Sequence, residues 1–345
     1  MSKPPFLEAL AGGTPSRLPV WFMRQAGRFL PEYRAVRAKH TFETMLHEPD
    51  LITEVTLQPV HRLDVDAAIL FSDILVLPEA LGMGLHYVDG EGPRFDAPLT
   101  DLDRLKPFDR ASIDFLSEGV RRIVAESTVP LIGFAGTPWT VALYMLEGRH
   151  GRDFLRARRF WRERPADFER VLDVVTEATA DYLEAQVEAG AQAVQLFDSW
   201  GGLLGPREQA EVAHPCVERI ADRLHERFPG LPVILYSKGT GAYLASLLEG
   251  STLDAVSVDW TVDLAAFRRD ERCPRAVQGN LDPAVFFGPE TSIWAAVEEL
   301  VAGVGRTGYV LNAGHGLNPD LDPGKVKVAV EAAHELAPVA AEPAP

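Results

Sequence analysis

The chain has 345 residues, 46% of them hydrophobic and 24% charged, and its formal net charge is −16. This composition is typical of a globular protein with a sizeable core, and the negative charge disfavours non-specific binding to nucleic acid or to an anionic membrane. Two cysteines, Cys216 and Cys273, are too few for a disulfide framework. The first residues lack the pattern of a signal peptide, and no apolar run has the length of a membrane span. We therefore expect a cytoplasmic protein.

Short apolar runs recur along the chain, and each ends in small, polar or charged residues. We predict eight buried strands, at 19–23, 67–71, 129–134, 193–197, 232–236, 255–258, 275–278 and 308–311. Apolar residues at helical spacing, or a proline in the first turn, predict helices at 166–189, 207–227, 243–248, 283–302 and 323–336. Buried strands that alternate with helices indicate a parallel sheet covered on both faces. About eight such units favour a (β/α)8 TIM barrel, with an open doubly wound sheet as the alternative.

The longest connection between strands covers residues 82–114. It contains a candidate hairpin in which Leu85–Val88 is followed by the turn residues Asp89-Gly90-Glu91-Gly92. The tail from Ala337 is rich in Ala and Pro, and we expect it to be disordered. No domain linker is recognisable, so we expect residues 1–345 to form a single barrel domain with its cleft at the carboxyl ends of the strands.

The segment FMRQAGRFLPEYR, at 22–34, follows the first predicted strand. Arg24 and Arg28 are four residues apart, so their guanidinium groups can lie on one face of a turn and each can bind a carboxylate through two hydrogen bonds. Gly27 lies between them and lets backbone or ligand come close. The alternative is that both arginines are solvated surface charges. In so acidic a chain, we favour a local anion site.

In a barrel, the active site forms at the carboxyl ends of the strands. Each candidate residue also has a purely structural explanation. Asp73 could cap the following helix, Tyr144 could be a buried helix aromatic, and His315 could close the barrel between its flanking glycines. The set as a whole favours an enzyme over these separate explanations. The residues at the predicted strand ends are Arg24, Arg28, Asp73, Gly136, Ser199, Lys238, Asp259, Asn280 and His315.

Several familiar site chemistries lack their motifs. His214-Pro215-Cys216 has a His-x-Cys spacing but falls within a predicted helix, and Cys273 is distant. Gly239-Thr240-Gly241 lacks the rest of a phosphate-binding loop, and Ser199 has no nucleophile-elbow glycine before it. Arginines with a strand-end Asp suit a polycarboxylate whose core develops positive charge, because the Asp stabilises the cation and the arginines hold carboxylates.

Seven segments, in order from near residue 19 to near residue 320, resemble the signature blocks of the uroporphyrinogen decarboxylase family. They are PVWFMRQAGRFLPEYR, LFSDILVLPEALGMG, LIGFAGTPWTVALYMLEG, QLFDSWGG, VDWTVDL, VQGNLDP and NAGHGLNPD. The resemblance implies a single (β/α)8 barrel, a homodimer, and no metal or organic cofactor. It implies decarboxylation of the four acetate side chains of uroporphyrinogen III to methyl groups, which gives coproporphyrinogen III and carbon dioxide in tetrapyrrole (haem) biosynthesis.

The resemblance also implies residue roles. Asp73 binds the central pyrrole N–H groups, and Arg24 acts on the reacting acetate, although the high pKa of arginine makes it a poor general acid. Tyr144 and Ser199 contact Asp73 or substrate carboxylates, Arg28 and His315 bind further carboxylates, and Phe197 forms an apolar wall. The implied catalytic residues are Arg24, Asp73 and Tyr144. The implied substrate-binding residues are Arg24, Gln25, Ala26, Gly27, Arg28, Asp73, Tyr144, Phe197, Ser199 and His315, with Gly279 as a further contact.

Two other classes of protein share part of this pattern. Zinc-dependent methyltransferases acting on corrinoid-bound methyl groups share this fold, but they need a His-x-Cys pair at a strand end, where this chain has Tyr236-Ser237-Lys238-Gly239. They also lack the FMRQAGR block. A non-catalytic tetrapyrrole-binding protein is the second alternative, and the intact set of candidate residues argues against it. Binding without turnover would distinguish it from an enzyme.

Overall fold

A computed structural model describes residues 3–88 and 92–336. Within these ranges the chain forms nine strands. They are β1 (Ala68–Ile69), β2 (Leu85–Val88), β3 (Gly92–Phe95), β4 (Leu131–Gly136), β5 (Ala193–Asp198), β6 (Val233–Ser237), β7 (Ala255–Val258), β8 (Ala276–Leu281) and β9 (Tyr309–Ala313).

The α-helices of the described ranges surround the strands, and none of them is both long and apolar enough to cross a membrane. They are α1 (Pro5–Leu10), α2 (Pro31–Arg37), α3 (Phe42–His47), α4 (Pro49–Leu63), α5 (Val76–Ala80), α6 (Asp114–Glu126), α7 (Pro138–Glu147), α8 (Leu155–Glu163), α9 (Pro165–Ala189), α10 (Pro206–Glu208), α11 (His214–Arg227), α12 (Leu244–Leu247), α13 (Leu264–Arg268), α14 (Glu290–Val304) and α15 (Pro323–Glu335).

Seven of the strands form one parallel sheet in the order β1-β4-β5-β6-β7-β8-β9. The segment at Val20 makes a parallel bridge to Leu311 of β9, and its carbonyl accepts the Asp66 N–H at 2.8 Å just before β1. This segment therefore lies between the first and last strands of the sheet and closes the ring. The predicted (β/α)8 barrel is confirmed, and the open doubly wound sheet is wrong.

A buried carboxylate holds the closing segment in place. Asp66 accepts the backbone N–H of Val20 at 2.9 Å, a guanidinium N–H of Arg17 at 2.8 Å, and lies 2.7 Å from His334 Nε2. Its side chain is 1% exposed, so these donors replace the water that the charge has lost. A contact between residues far apart in the chain thus completes the barrel.

The barrel interior contains three polar side chains, joined by hydrogen bonds, among apolar ones. Trp21 donates its indole N–H to Gln278 at 2.8 Å, and Gln278 donates to Gln195 at 3.0 Å. All three residues are buried, and the bonds satisfy amides that would otherwise cost free energy in an apolar core. The interior is therefore a packed core, and the room for a ligand lies beyond the strand ends.

Three of the predicted helices differ in detail. The helix expected at 207–227 is divided into α10, a π-helical turn at Gln209–Ala213 and α11, which has Pro215 in its first turn. The helix expected from Pro283 starts only at Glu290, because Pro283–Phe287 is a separate 3₁₀ helix. The one expected at 243–248 is reduced to α12. The helices at 166–189 and 323–336 are confirmed as α9 and α15.

The insertion after the second barrel strand carries the expected hairpin. Strands β2 and β3 pair antiparallel, with Leu85 opposite Phe95 and Val88 opposite Gly92. Two 3₁₀ helices, Leu102–Arg104 and Arg110–Ile113, follow before α6. The turn at 89–91 and the tail from 337 lie outside the described residues.

Candidate functional site

The carboxyl ends of the strands bring the leading candidates together. Arg24 follows the closing segment, Asp73 follows β1, Tyr144 lies on α7 after β4, and His315 follows β9. The charge of Arg24 lowers the pKa of Asp73, Tyr144 and His315. In each case the effect of burial is larger. Residues separated by up to 291 positions in sequence therefore share one electrostatic environment.

Arg24 has a left-handed backbone, with a φ of 63°, which is uncommon for a residue with a side chain. The turn is held on both sides, because Leu317 donates its N–H to the Met23 carbonyl at 2.9 Å and Gln25 donates to Phe22 at 2.9 Å. The side chain of Arg24 runs over Gly316, where a methyl group would lie 2.3 Å from Cδ. Such a constrained residue is consistent with a functional position.

The turn around Arg24 also explains its neighbours. The buried Gln25 side chain accepts the Phe22 N–H at 3.0 Å and donates to the Ala67 carbonyl at 3.0 Å, so it ties the turn to the start of the barrel. Gly27 is required by the turn itself, because a methyl group there would lie 2.9 Å from the Arg24 carbonyl oxygen. Contacts of Gln25, Ala26 and Gly27 with substrate would run through the backbone, and they stay predictions.

Arg28 is exposed, as is Arg24. The carbonyl of Arg28 accepts a guanidinium N–H of Arg34 at 2.8 Å. Arg34 also donates to the Phe29 carbonyl at 2.9 Å, so Arg34 stabilises the turn that contains Arg28. Within the described residues no hydrogen bond or ion pair engages the Arg28 side chain, and its role in binding a substrate carboxylate stays a prediction.

Asp73 is half-buried, and its carboxylate accepts the Leu75 N–H at 2.9 Å. It is not the N-cap of α5, which is Leu75. Burial raises the pKa of the Asp73 carboxyl, whereas the Leu75 N–H, the Tyr87 hydroxyl and the charge of Arg24 favour the ionised form. Only part of the carboxylate is committed to the fold, so acceptor positions remain for ligand N–H groups.

His315 lies against two aromatic rings. Its ring stacks on Tyr236 at a centroid distance of 6.2 Å and on Trp260 at 6.3 Å, and its Nδ1 lies 3.3 Å from the Tyr236 hydroxyl. Burial, followed by the charges of Lys238 and Arg24, lowers the pKa of His315 to about 4. The imidazole is therefore neutral at pH 7 in the unliganded cleft, and an arriving carboxylate would favour its protonation.

The glycines beside His315 make room for protein atoms. A methyl group at Gly314 would lie 2.3 Å from the Trp260 backbone nitrogen, and one at Gly316 would meet Arg24. Packing against the protein's own atoms therefore explains why both positions are glycine. The position of His315 itself next to Lys238 and Arg24 still supports a role in anion binding.

Tyr144 is half-buried on α7, with its hydroxyl 3.4 Å from His150 Nδ1 and its ring edge-on to Phe154 at 5.2 Å. Burial raises the pKa of Tyr144, and the indole of Trp200 acts in the opposite direction. Its hydroxyl therefore stays protonated at neutral pH and can donate a hydrogen bond. The partial exposure of Tyr144 disfavours the alternative of a purely structural core residue.

Phe197 belongs to an aromatic wall at the mouth of the barrel. It is 6% exposed and packs edge-to-face on Phe134 at 5.5 Å and against Tyr236 at 5.7 Å. Ser199, just after β5, is half-buried. This wall continues through Tyr236 to His315, where the charges of Lys238 and Arg24 act.

Other strand-end candidates serve the fold. The Asp259 carboxylate accepts the Gly239 N–H at 2.6 Å and the Thr261 N–H at 2.8 Å. The Asn280 amide donates to the Asp259 carbonyl at 2.9 Å, and the Gly279 carbonyl accepts the hydroxyl of Tyr309 at 2.8 Å. These bonds satisfy polar groups where the strands turn into loops. Asp259, Asn280 and Gly279 therefore have a structural role at the strand ends.

Two further residues lie near the candidate site, of which Lys238 belongs to the predicted strand-end set and Tyr87 was not a candidate. Lys238 is half-buried at the end of β6, and its charge acts on the pKa of His315. Tyr87 lies on β2, and its hydroxyl acts on the pKa of Asp73. The position of Lys238 after a strand was a usable signal, whereas nothing in the local pattern of the hairpin indicates that Tyr87 is near Asp73.

The His-x-Cys pair of α11 is engaged by neighbours on its own helical region. His214 Nε2 lies 3.1 Å from a Glu218 carboxylate oxygen, and the Cys216 thiol donates to the Val212 carbonyl at 3.4 Å. Within residues 3–88 and 92–336, no cluster of three or more His, Cys, Asp and Glu side chains is placed to hold a metal ion.

Comparison with known proteins agrees with the motif resemblance. Residues 1–336 match the family model described as uroporphyrinogen decarboxylase (URO-D). The uroporphyrinogen decarboxylase of Nitrosococcus oceani is 42% identical, with 96% of this chain and 95% of the relative covered. That of Xanthomonas oryzae pv. oryzae is 45% identical, with 96% and 97% covered.

Solved structures support the fold. A methyltransferase from Methanosarcina mazei superposes with a TM-score of 0.78 at 20% identity, over 96% of this chain and 97% of that one. A B12-independent methionine synthase from Shewanella sp. W3-18-1 has a TM-score of 0.57 at 11% identity, over 93% and 97%. At these identities the likeness concerns the barrel architecture alone.

Proposed function

The chain belongs to the uroporphyrinogen decarboxylase family, and we propose that it removes carbon dioxide from the four acetate side chains of uroporphyrinogen III. The product is coproporphyrinogen III, within tetrapyrrole biosynthesis. The observation that carries the proposal is the grouping of Arg24, Asp73, Tyr144 and His315 at the carboxyl ends of the strands in a chain of this family.

The reaction needs a site for positive charge and a site for carboxylate. A proton on a pyrrole ring carbon makes the ring a cation beside the acetate. The bond between the acetate methylene and its carboxyl carbon then breaks, carbon dioxide leaves, and the electron pair neutralises the cation. A second proton completes the methyl group and the ring proton is returned, so the net uptake is one proton for each carboxylate lost.

Asp73 suits the cationic ring. Its remaining acceptor positions can bind pyrrole N–H groups, and its negative charge stabilises the ring as positive charge develops. Because the carboxylate is half-buried, its interaction with the cation is stronger than it would be in water. The charge of Arg24 favours the ionised form of Asp73, in opposition to the burial that raises the pKa of this carboxyl.

Arg24 suits the reacting acetate. Its guanidinium can hold the carboxylate through two hydrogen bonds and fix the orientation of the breaking bond relative to the ring. Tyr144 can donate its hydroxyl to substrate, and His315 can take up a proton as it binds a further carboxylate. Arg28, Ser199 and Phe197 complete the cleft in this proposal.

The substrate serves as its own electron sink, so this chemistry requires neither a metal nor an organic cofactor. We further propose that the protein is cytoplasmic and forms a homodimer. Sedimentation of the purified protein would test the homodimer. A zinc-dependent methyltransferase is the second candidate for this fold. The commitment of His214 and Cys216 to partners within their own helical region gives it no support.

The test is anaerobic incubation of chelator-treated protein with uroporphyrinogen III, followed by oxidation of the products and their separation by carboxylate number. We expect stepwise loss of carboxylates to the four-carboxylate product. Asp73→Gly should abolish it, whereas Asp103→Gly, at an exposed position in the 3₁₀ helix Leu102–Arg104, should leave it unchanged. No turnover by folded protein, or turnover only after addition of zinc, would contradict the proposal.

A further inference from the structure

The hairpin in the insertion turns one polar group inwards. Along β2, Leu85 is buried and Tyr87 half-buried, whereas His86 and Val88 are exposed, as the alternation of a strand requires. Tyr87 pairs with Pro93 of β3, so its position along the hairpin is fixed by the strand register. The Tyr87 ring therefore points towards the barrel.

Two contacts with α3 hold Tyr87 in place. Its backbone N–H donates to a Glu43 carboxylate oxygen at 2.9 Å, and its ring lies edge-to-face with Phe42 at 4.7 Å. Phe42 packs in the same manner on Phe71 at 6.0 Å, and Phe71 lies two residues before Asp73. This row of aromatic rings leads from the hairpin to the turn that carries the Asp73 carboxylate.

The hydroxyl of Tyr87 is buried and has no hydrogen-bond partner within the described part of the chain. A buried hydroxyl without a partner costs free energy, so such groups usually have a nearby acceptor. Apart from burial, the Asp73 carboxylate has the largest effect on the pKa of Tyr87, and Tyr87 in turn favours ionised Asp73. Asp73 is therefore the acceptor to which this hydroxyl is electrostatically coupled, and the rings of Phe42 and Phe71 connect Tyr87 with the turn that carries it.

We propose that Tyr87 is a positioning residue for Asp73. The hydroxyl of Tyr87 donates to the Asp73 carboxylate and keeps it ionised and oriented before the substrate binds. This inference rests on the function proposed above. The Leu75 N–H occupies one carboxylate oxygen, and in this proposal Tyr87 supplies a second donor, from the hairpin. The two donors fix the plane of the carboxylate and leave the remaining lone pairs for pyrrole N–H groups.

The charges around this pair determine the sign of the effect. Arg24 favours ionised Asp73 and Glu79 opposes it. Asp73 also acts on the neutral hydroxyls of Tyr144 and Tyr182, while Tyr87 additionally faces Glu43. Without the Tyr87 hydroxyl, the Leu75 N–H and Arg24 are the groups left, in the described part of the chain, to oppose the effect of burial on the pKa of Asp73. The pKa of Asp73 should then rise.

The test compares Tyr87→Phe with the wild type, because phenylalanine keeps the ring contact with Phe42 and loses only the hydroxyl. Protein labelled with ¹³C at the aspartate carboxyl groups is titrated by NMR without substrate, and the Asp73 signal is assigned with Asp73→Asn. We expect the pKa of Asp73 to rise by roughly one unit in Tyr87→Phe. The acid limb of kcat/KM should move to higher pH by the same amount, with little change in kcat at its plateau.

The matched control is Tyr243→Phe, which removes a hydroxyl that donates to the Leu204 carbonyl at 2.8 Å. It should leave both the Asp73 titration and the pH profile unchanged. An Asp73 titration identical in the wild type and in folded Tyr87→Phe would overturn the inference. Since the NMR titration needs no turnover, a wild type without decarboxylase activity would contradict the proposed function and leave the test of Tyr87 intact.

Discussion

Gly316→Ala should inactivate the protein by moving a single side chain. A methyl group at Gly316 would lie 2.3 Å from Arg24 Cδ and 2.8 Å from its Cγ and Nε. Ordinary carbon contacts begin near roughly 3.5 Å, so the stem of Arg24 must retreat by roughly 1 Å. The backbone of Gly316 does not lie in the left-handed region, so alanine fits there without backbone strain.

The expected loss follows from the position of the Arg24 guanidinium. A displacement of about 1 Å at a group that orients the reacting bond can lower kcat on the order of 100-fold, which corresponds to about 2.7 kcal/mol of transition-state free energy. The exposed Arg24 side chain can move without disturbing the core, so the free energy of unfolding should change by less than about 1 kcal/mol.

The assay measures kcat and KM for uroporphyrinogen III under anaerobic conditions, together with the urea unfolding curve of the same preparation. The control is Gly205→Ala, where φ is −75° and the nearest atom to the added methyl group is 3.9 Å away. A Gly316→Ala protein with wild-type stability and a kcat within about twofold of the wild type would refute the argument that Arg24 must hold this position.

Two further predictions concern stability. Because burial and nearby cations hold the pKa of His315 at about 4, below its ordinary 6.5, unfolded chains bind a proton between these pH values that the folded protein does not. Stability should thus fall by up to roughly 3 kcal/mol as the pH drops through this window, and His315→Gln should remove this component of the urea-midpoint pH dependence. The Glu184 carboxylate, 1% exposed, binds Arg110, Arg223 and Arg227. Glu184→Gln should lower the free energy of unfolding by about 3 kcal/mol with KM unchanged, and a urea midpoint equal to that of the wild type would contradict this.

The sequence alone determined the barrel and the main candidates. Buried strands alternating with helices require a parallel sheet, and the carboxyl ends of parallel strands meet at one end of a barrel. Arg24, Asp73 and His315 follow such strands, so their approach to one another could be predicted before any contact was known. Local signals were weaker where proline interrupts a pattern, as in the divided helix at 207–227.

Only the tertiary structure decided what each neighbour of the site does. Gly314 and Gly316 are small because of Trp260 and Arg24, and Gln25 is polar because it binds backbone at the start of the barrel. None of these partners is adjacent in sequence, so no local pattern predicts them.

Tyr87 is the clearest example of this limit. Its sequence context predicts a hairpin strand, and strand alternation predicts which side chains point inwards. That its hydroxyl is electrostatically coupled to Asp73 depends on how the hairpin packs on α3, through Phe42 and Glu43. Packing between distant segments is set by the fold as a whole, so the partner of a buried polar group becomes known only once the fold is known.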